Sequence, residues 1–149
     1  MARRVFFSFH YQRDIWRANV VRNSGAIEGV AAAGFHDSSL WEETKRQGEA
    51  AVKKLIETGL EDSTVTVVLI GSDTANRSYV SYEIERSAAR GNGILGIRIH
   101  NIKDAEGRID PPGEVPRALL AVGAPIYTWE YGKFGEWVEK AYKEAKASP

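Results

Sequence analysis

Glu83 is the side chain in this sequence whose surroundings most invite chemistry. It lies in Tyr79-Val80-Ser81-Tyr82-Glu83-Ile84, shortly after the run Thr64-Val65-Thr66-Val67-Val68-Leu69-Ile70-Gly71-Ser72. A run so short, apolar and β-branched, closed by Gly-Ser, reads as a strand covered on both faces. The helix after it then starts at the edge where open α/β sheets place their ligands, and Glu83 brings a carboxylate to that edge. Spacing leaves a second reading open, a solvated carboxylate near a helix N-terminus, stabilised by the helix dipole and by Arg86 or Ser87 one turn on. The segment Phe9-His10-Tyr11 closes an earlier apolar run. For Phe9 ordinary core, for Tyr79 helix-entry packing, and for Asp37 a turn-forming role stand beside any part in a site.

The elements needed to hold these groups alternate. Val5–Phe9 reads as a strand, followed by a helix to about Arg22, with Asp14 capping or charging its start and Ile15, Ala18 and Val21 on one face. Gly29–Phe35 reads as a glycine-weakened edge strand and His36-Asp37-Ser38-Ser39 as a loop. A helix from about Trp41 to Thr58 follows, with capping-box spacing between Ser39 and Glu42 and a stop at Gly59. After the central strand, Ser78 or Asn76 caps a helix whose stripe Val80, Ile84, Ala88 faces the sheet. Ile94–Ile99 is the fourth strand, a polar loop carries Pro111, Pro112 and Pro116, Ala124–Thr128 is the fifth, and Phe134–Ala147 is the last helix.

Strand and helix in that order imply one α/β domain over residues 1–149, a three-layer sandwich around a five-stranded parallel sheet of order 2-1-3-4-5. In that order the chain reverses direction between the first and third strands. The loops after Phe9 and Ile70 therefore face one crevice, and Glu83 neighbours Phe9-His10-Tyr11.

Composition removes several classes. The 149 residues suffice to hide roughly 68–70% of the unfolded chain's surface. Without cysteine there is no disulfide framework, thiol chemistry or cysteine-bound zinc. Twenty basic and twenty acidic residues cancel, so no overall field gathers a polyanion, and nucleic acid is not an expected partner. Arg13, Arg17 and Arg22 read as a solvated helix face. No apolar run approaches the ~20 residues of a membrane span, and Val5-Phe6-Phe7 is too short for a signal-peptide core, so a cytoplasmic location is expected.

Several motifs fail on context. Gly91-Asn92-Gly93-Ile94-Leu95-Gly96 spells a dinucleotide fingerprint but enters a strand instead of opening a helix. Asn76-Arg77-Ser78 spells a glycosylation acceptor and is better explained by a helix cap. The third strand ends in Ile70-Gly71-Ser72, without the aspartate of a phosphorelay receiver, and the loop after the first strand lacks the glycines of an FMN phosphate loop. His10, His36 and His100 lack metal-ligand spacing, so no metal is expected.

Taken together, Arg4-Val5-Phe6-Phe7-Ser8-Phe9, Phe35-His36-Asp37-Ser38-Ser39-Leu40, Thr66-Val67-Val68-Leu69-Ile70-Gly71, Tyr79-Val80-Ser81-Tyr82-Glu83-Ile84 and Gly93–Ile99 resemble the boxes of TIR domains. The set is most similar to the bacterial TIR-like branch that includes the sensor of the Thoeris anti-phage system. The resemblance implies a flavodoxin-like fold and, in catalytic members, attack on the nicotinamide–ribose bond of NAD, giving ADP-ribose or cyclic ADP-ribose isomers. Glu83 matches the catalytic glutamate. Phe9 matches a ring beside the nicotinamide, His10, Tyr11 and Asp37 fall on matching loops, and Ser72 and Tyr79 complete the residues expected to contact substrate. Many members carry Trp where this chain has Tyr79, and non-catalytic scaffold members exist.

The implied chemistry suits one carboxylate. Nicotinamide leaves neutral and needs no acid, whereas the oxocarbenium-like ribose needs negative charge and ordered hydroxyls. NAD is thus expected as substrate, with no further cofactor. A homo-oligomer and a separate effector protein that responds to the product are the other partners considered. The alternative function is a TIR-like module that binds proteins or a nucleotide without turnover.

Overall fold

Four short apolar runs become the body of a parallel sheet because each is β-branched or aromatic and can be covered on both faces. Elements are numbered in chain order in a computed structural model that describes residues 4–24, 32–33, 38–61 and 63–147. The strands are β1 (Val5–Ser8), β2 (Ala32–Ala33), β3 (Val65–Ile70), β4 (Gly93–Arg98) and β5 (Ile126–Thr128). β1 runs parallel to β3 with Val5 opposite Val65 and Ser8 opposite Val68. β3 pairs with β4 from Val65↔Gly93 to Ile70↔Arg98, and β5 joins the outer edge of β4. On the other edge the two residues of β2 pair with Val5 and Phe6, so the strands lie in the order β2-β1-β3-β4-β5.

Helices cover both faces. Val5, Phe7, Val67, Leu95 and Ile97 pack against Ala18 and Val21 of α1 (Tyr11–Arg22) and Phe134, Val138 and Ala141 of α6 (Phe134–Ala147). On the opposite face Phe6 meets Val52, Ile56 and Leu60 of α3 (Glu49–Leu60). Beside it Val68 and Ile70 meet Val80 and Ile84 of α4 (Ser78–Ala89) and Leu119 of the short α5 (Arg117–Ala121). Among the described residues, no helix is long and apolar enough to cross a membrane.

Gly93 lets α6 settle directly on the sheet: a Cβ there would stand 2.5 Å from the backbone oxygen of Ala141. Backbone cannot rotate away as a side-chain tip can. Gly93→Ala is therefore expected to cost about 1–3 kcal/mol through overpacking, read as a lower urea midpoint. An unchanged midpoint would show that α6 yields there without penalty.

Some element limits differ from expectation for local reasons. The helix expected over 41–58 is two, α2 (Ser38–Gln47) and α3, because Gly48 adopts φ +107°, which no continuing helix permits. Ser38 and Ser39, expected in a loop, belong to α2. Asp14 does not cap α1, since His10 does so through Nδ1, which accepts the Arg13 backbone N–H. Neither Ser78 nor Asn76 caps α4; Arg77 holds the cap position without a side-chain cap bond. The polar loop after β4 contains α5, which the prolines disguised. Most of the edge strand expected over 29–35 lies outside the described residues, which include its Ala32 and Ala33.

Candidate functional site

Alternation along β1 sends Phe6 and Ser8 towards the α3 and α4 face. Ser8, fully buried, needs a partner there, and its hydroxyl donates to Glu83 Oε1 at 2.8 Å. Glu83 reaches it because the stripe Val80 and Ile84 lies on the sheet and residue 83 flanks that stripe. Arg77 Nη1 donates to the same oxygen, also at 2.8 Å. Glu83 as a whole is 4% exposed. Burial pushes its pKa above the ordinary glutamate range, opposed first by the charge of Arg77 and then by the hydrogen bonds from Ser8 and Arg77.

The turn that delivers Arg77 is held by a buried threonine. Thr74 Oγ1 accepts from the Gly71 N–H at 2.8 Å and donates to the Leu69 carbonyl at 3.2 Å, fixing the 3-10 turn Thr74–Asn76 directly after β3. Further along α4, Ser87 Oγ donates to the Glu83 backbone oxygen and lies 2.6 Å from the Thr66 hydroxyl. Arg86, expected as the neighbour of the Glu83 carboxylate, instead joins Tyr82 on Glu57 of α3. The solvated reading of Glu83 is thereby replaced by a buried ion pair with Arg77.

Across the strand tips a second polar group gathers. Arg13 Nε donates to Ser72 Oγ at 2.8 Å, and His10 Nε2 stands 3.9 Å from Asp73 Oδ2. The loops after β1 and β3 therefore do meet. Arg17, expected on a solvated face, is 4% exposed and donates to the carbonyls of Ile102 and Arg108 and to Asp110 Oδ2, pinning the segment after β4 over this end of the sheet.

The aromatic residues divide. Phe9 is buried in the α1/α6 core cluster, its centroid 5.9 Å from that of Tyr11. Tyr11 is half-buried and touches both this cluster and the Phe6 cluster, so of the two rings it is the one at the boundary between faces. Tyr79, half-buried, packs against the cluster of Phe6, Val52, Ile56 and Leu60. Asp37 lies outside the described residues. Sequence reasoning missed Ser8 and Arg77. The signal for Ser8 was a hydroxyl at the end of a strand that period-2 alternation buries; nothing in the spelling of Arg77 marks it.

Asp14 is fully buried beside Gly71, with Arg17 3.9 Å away, and among the described residues neither carboxylate oxygen finds a hydrogen-bond partner. Burial raises its pKa over the opposing charges of Arg17, His10 and Arg13. The folded state thus holds the proton more tightly than the unfolded chain, so this group's contribution to stability falls as pH rises from below the ordinary aspartate value through the raised one. Asp14→Asn is expected to stabilise the protein at neutral pH by about 1 kcal/mol and to flatten that slope, as measured by urea unfolding from pH 4 to 7. A steeper slope would show that Arg17 outweighs burial.

A depression of about 360 Å³ lined by Gly91, Asn92, Pro125 and Glu144 lies at the opposite, N-terminal ends of β4 and β5. Parallel sheets bind ligands at the other end, where Ser8, Glu83 and Arg77 meet, so shape and chemistry point to different places and the chemistry carries more weight.

A parallel α/β sheet, with a buried, ion-paired glutamate from α4 set against the C-terminal end of β1, defines the open-sheet class whose ligands sit at that end of the strands. Comparison with known proteins narrows the class. Residues 6–104 match the family model described as Thoeris protein ThsB, TIR-like domain. The chain is also 43% identical to ThsB1, a candidate cyclic ADP-D-ribose synthase of Bacillus cereus (strain MSX-D12), over 100% of this chain and 83% of that relative. It belongs to the Thoeris ThsB TIR-like family.

Proposed function

We propose that the protein is an NAD-processing enzyme of prokaryotic anti-phage defence, which cleaves the nicotinamide–ribose bond and releases a cyclic ADP-ribose isomer as a signal. The observation that carries this reading is the inward-facing Glu83 at the tip of β1. Likeness to a relative named for cyclic ADP-D-ribose synthesis supports it, as does a flavodoxin-like three-layer sandwich of order 2-1-3-4-5.

In the proposed reaction the C–N bond breaks heterolytically. Nicotinamide takes the bonding pair and leaves neutral, and C1′ of the ribose becomes electron-deficient. Both protein donors converge on Glu83 Oε1, and among the described residues Oε2 receives no hydrogen bond, so Oε2 is the oxygen assigned to the ribose hydroxyls. The attraction between carboxylate and ring strengthens as positive charge grows, which is what lowers a barrier. Ring closure then requires a nitrogen of adenine or a ribose hydroxyl of the same molecule to bond C1′ before water does, a hydroxyl losing its proton in that step. Tyr11 and His10, after β1, and Ser72, after β3, are assigned to substrate contact, supported by the meeting of these two loops through Arg13 and Ser72 and through His10 and Asp73. Phe9 and Tyr79 support it from the core. The product acts on a separate effector.

One observation favours a second reading, binding without turnover: Glu83 is only 4% exposed and its carboxylate is already ion-paired with Arg77. Incubating the purified protein with NAD and resolving products by chromatography decides between them. Loss of the NAD peak with release of nicotinamide is expected; an unchanged peak at high protein concentration, repeated in infected-cell lysate, leaves the binding module.

A further inference from the structure

A carboxylate that must be an anion at neutral pH has been placed where water scarcely reaches it. Ionised groups survive such burial through a countercharge and hydrogen bonds, and both are present on Oε1. We propose that Arg77 is the positioning residue of this site: with Ser8 it aims the Glu83 carboxylate, and its guanidinium holds that carboxylate in the anionic form the ribose requires. The inference rests on the enzymatic reading for its consequence, though not for its geometry.

Three features single out Arg77. Its side chain is 12% exposed and that of Glu83 5%, so their attraction is weakly screened by solvent. It stands at the entry of α4, six residues before Glu83, where the Thr74 turn fixes the backbone. The other charged groups around α4 are engaged elsewhere. Glu57 of α3 takes Arg86, Lys53 of α3 pairs with Glu49, and Asp73 before the turn faces His10 and Asn76. Among the described residues, the groups that hydrogen-bond the carboxylate are Arg77 from the helix entry and Ser8 from β1, which is uncharged.

The opposite role, a latch that keeps Glu83 from substrate, makes the opposite prediction. In Arg77→Ala the acid limb of the kcat/KM profile for NAD should move to higher pH by at least about one unit, with roughly a tenfold loss at neutral pH that recovers at alkaline pH. Arg77→Lys should restore part of the shift, since it keeps the charge and loses the fork geometry. An unmoved acid limb, or faster turnover at every pH, would overturn the proposal. Its second arm does not depend on turnover: in protein carrying ¹³C-carboxyl glutamate, the signal missing from Glu83→Gln should titrate at higher pH in Arg77→Ala than in the natural protein, with Arg77→Lys between them. A coincident midpoint refutes Arg77 even if NAD is never consumed. A displaced midpoint with no NAD consumption leaves Arg77 standing and removes the enzymatic reading instead.

Discussion

Glu83→Gln is expected to lower NAD cleavage roughly 10²–10³-fold or more while leaving the fold as stable as before or more stable. The two halves of that result have one cause. Glutamine keeps the volume of glutamate and an oxygen that can accept from Ser8 and Arg77, both 2.8 Å from Oε1, so packing and register of α4 should survive. What disappears is the negative charge, the part of the side chain whose interaction grows as the ribose becomes cationic. The same charge is a liability to the folded state, since burial raises the carboxyl pKa and outweighs the help of Arg77 and Ser8. The sign for stability follows: a group whose folded pKa is raised contributes least once pH has passed above that pKa, so removing its charge helps most at neutral and alkaline pH. Nicotinamide release resolved by chromatography and a thermal melt over several pH values check both halves. Equal turnover by the variant would remove Glu83 from the chemistry. Lost turnover with a collapsed melting temperature would instead mark it as a structural ion-pair partner, the role most buried salt bridges of unknown purpose play.

How much of this was legible in the sequence depended on whether the signal was local. β3 was read within one residue of its observed limits, because six β-branched or aliphatic residues between polar ends leave few alternatives. The last helix was read as observed because its buried apolar positions Phe134, Val138 and Ala141 keep helical spacing over its first two turns. The break at Gly48 was missed because a lone glycine within an apolar rhythm fits either a tolerated interruption or a stop, and only the backbone angle decides. Glu83 was found through its place at a strand-to-helix crossing, a topological argument. Its partners were not found, since Ser8 lies 75 residues away in sequence and Arg77 owes its orientation to a turn held by Thr74. Arg17 shows the same limit most sharply: on a helical wheel it belongs to a basic face, and only the return of the chain 85 to 93 residues later turns that face inward.

That return makes Arg17 the side chain whose loss should damage stability most. Its guanidinium donates to Ile102 O at 2.6 Å, Asp110 Oδ2 at 2.8 Å and Arg108 O at 3.0 Å, with Asp14 Oδ1 3.9 Å away. Exposed ion pairs are worth about 0–1 kcal/mol, but Arg17 is only 4% exposed, and its removal would leave the Asp110 carboxylate and two carbonyls without their common donor and the buried Asp14 without its nearest countercharge. Arg17→Met, which keeps most of the apolar stem, is therefore expected to cost about 3–5 kcal/mol in urea unfolding at neutral pH. Lysine should recover only part of this, because a single ammonium cannot reproduce a planar fork that serves three acceptors. The deficit should narrow as pH falls, since Asp14, deprived of the charge that opposed its burial, takes up a proton more readily. The released segment carries exposed Lys103 and Arg108, so trypsin should cut there faster in the variant than in the natural protein. Equal melting and equal cutting would mean that the segment is held instead by the backbone contact of Gly113 with Gly71 and Ser72, where an added Cβ would collide with the Gly71 carbonyl. Gly113→Ala would then be the destabilising change and Arg17→Met the silent one, so the pair of variants identifies which contact fastens the chain over the strand tips.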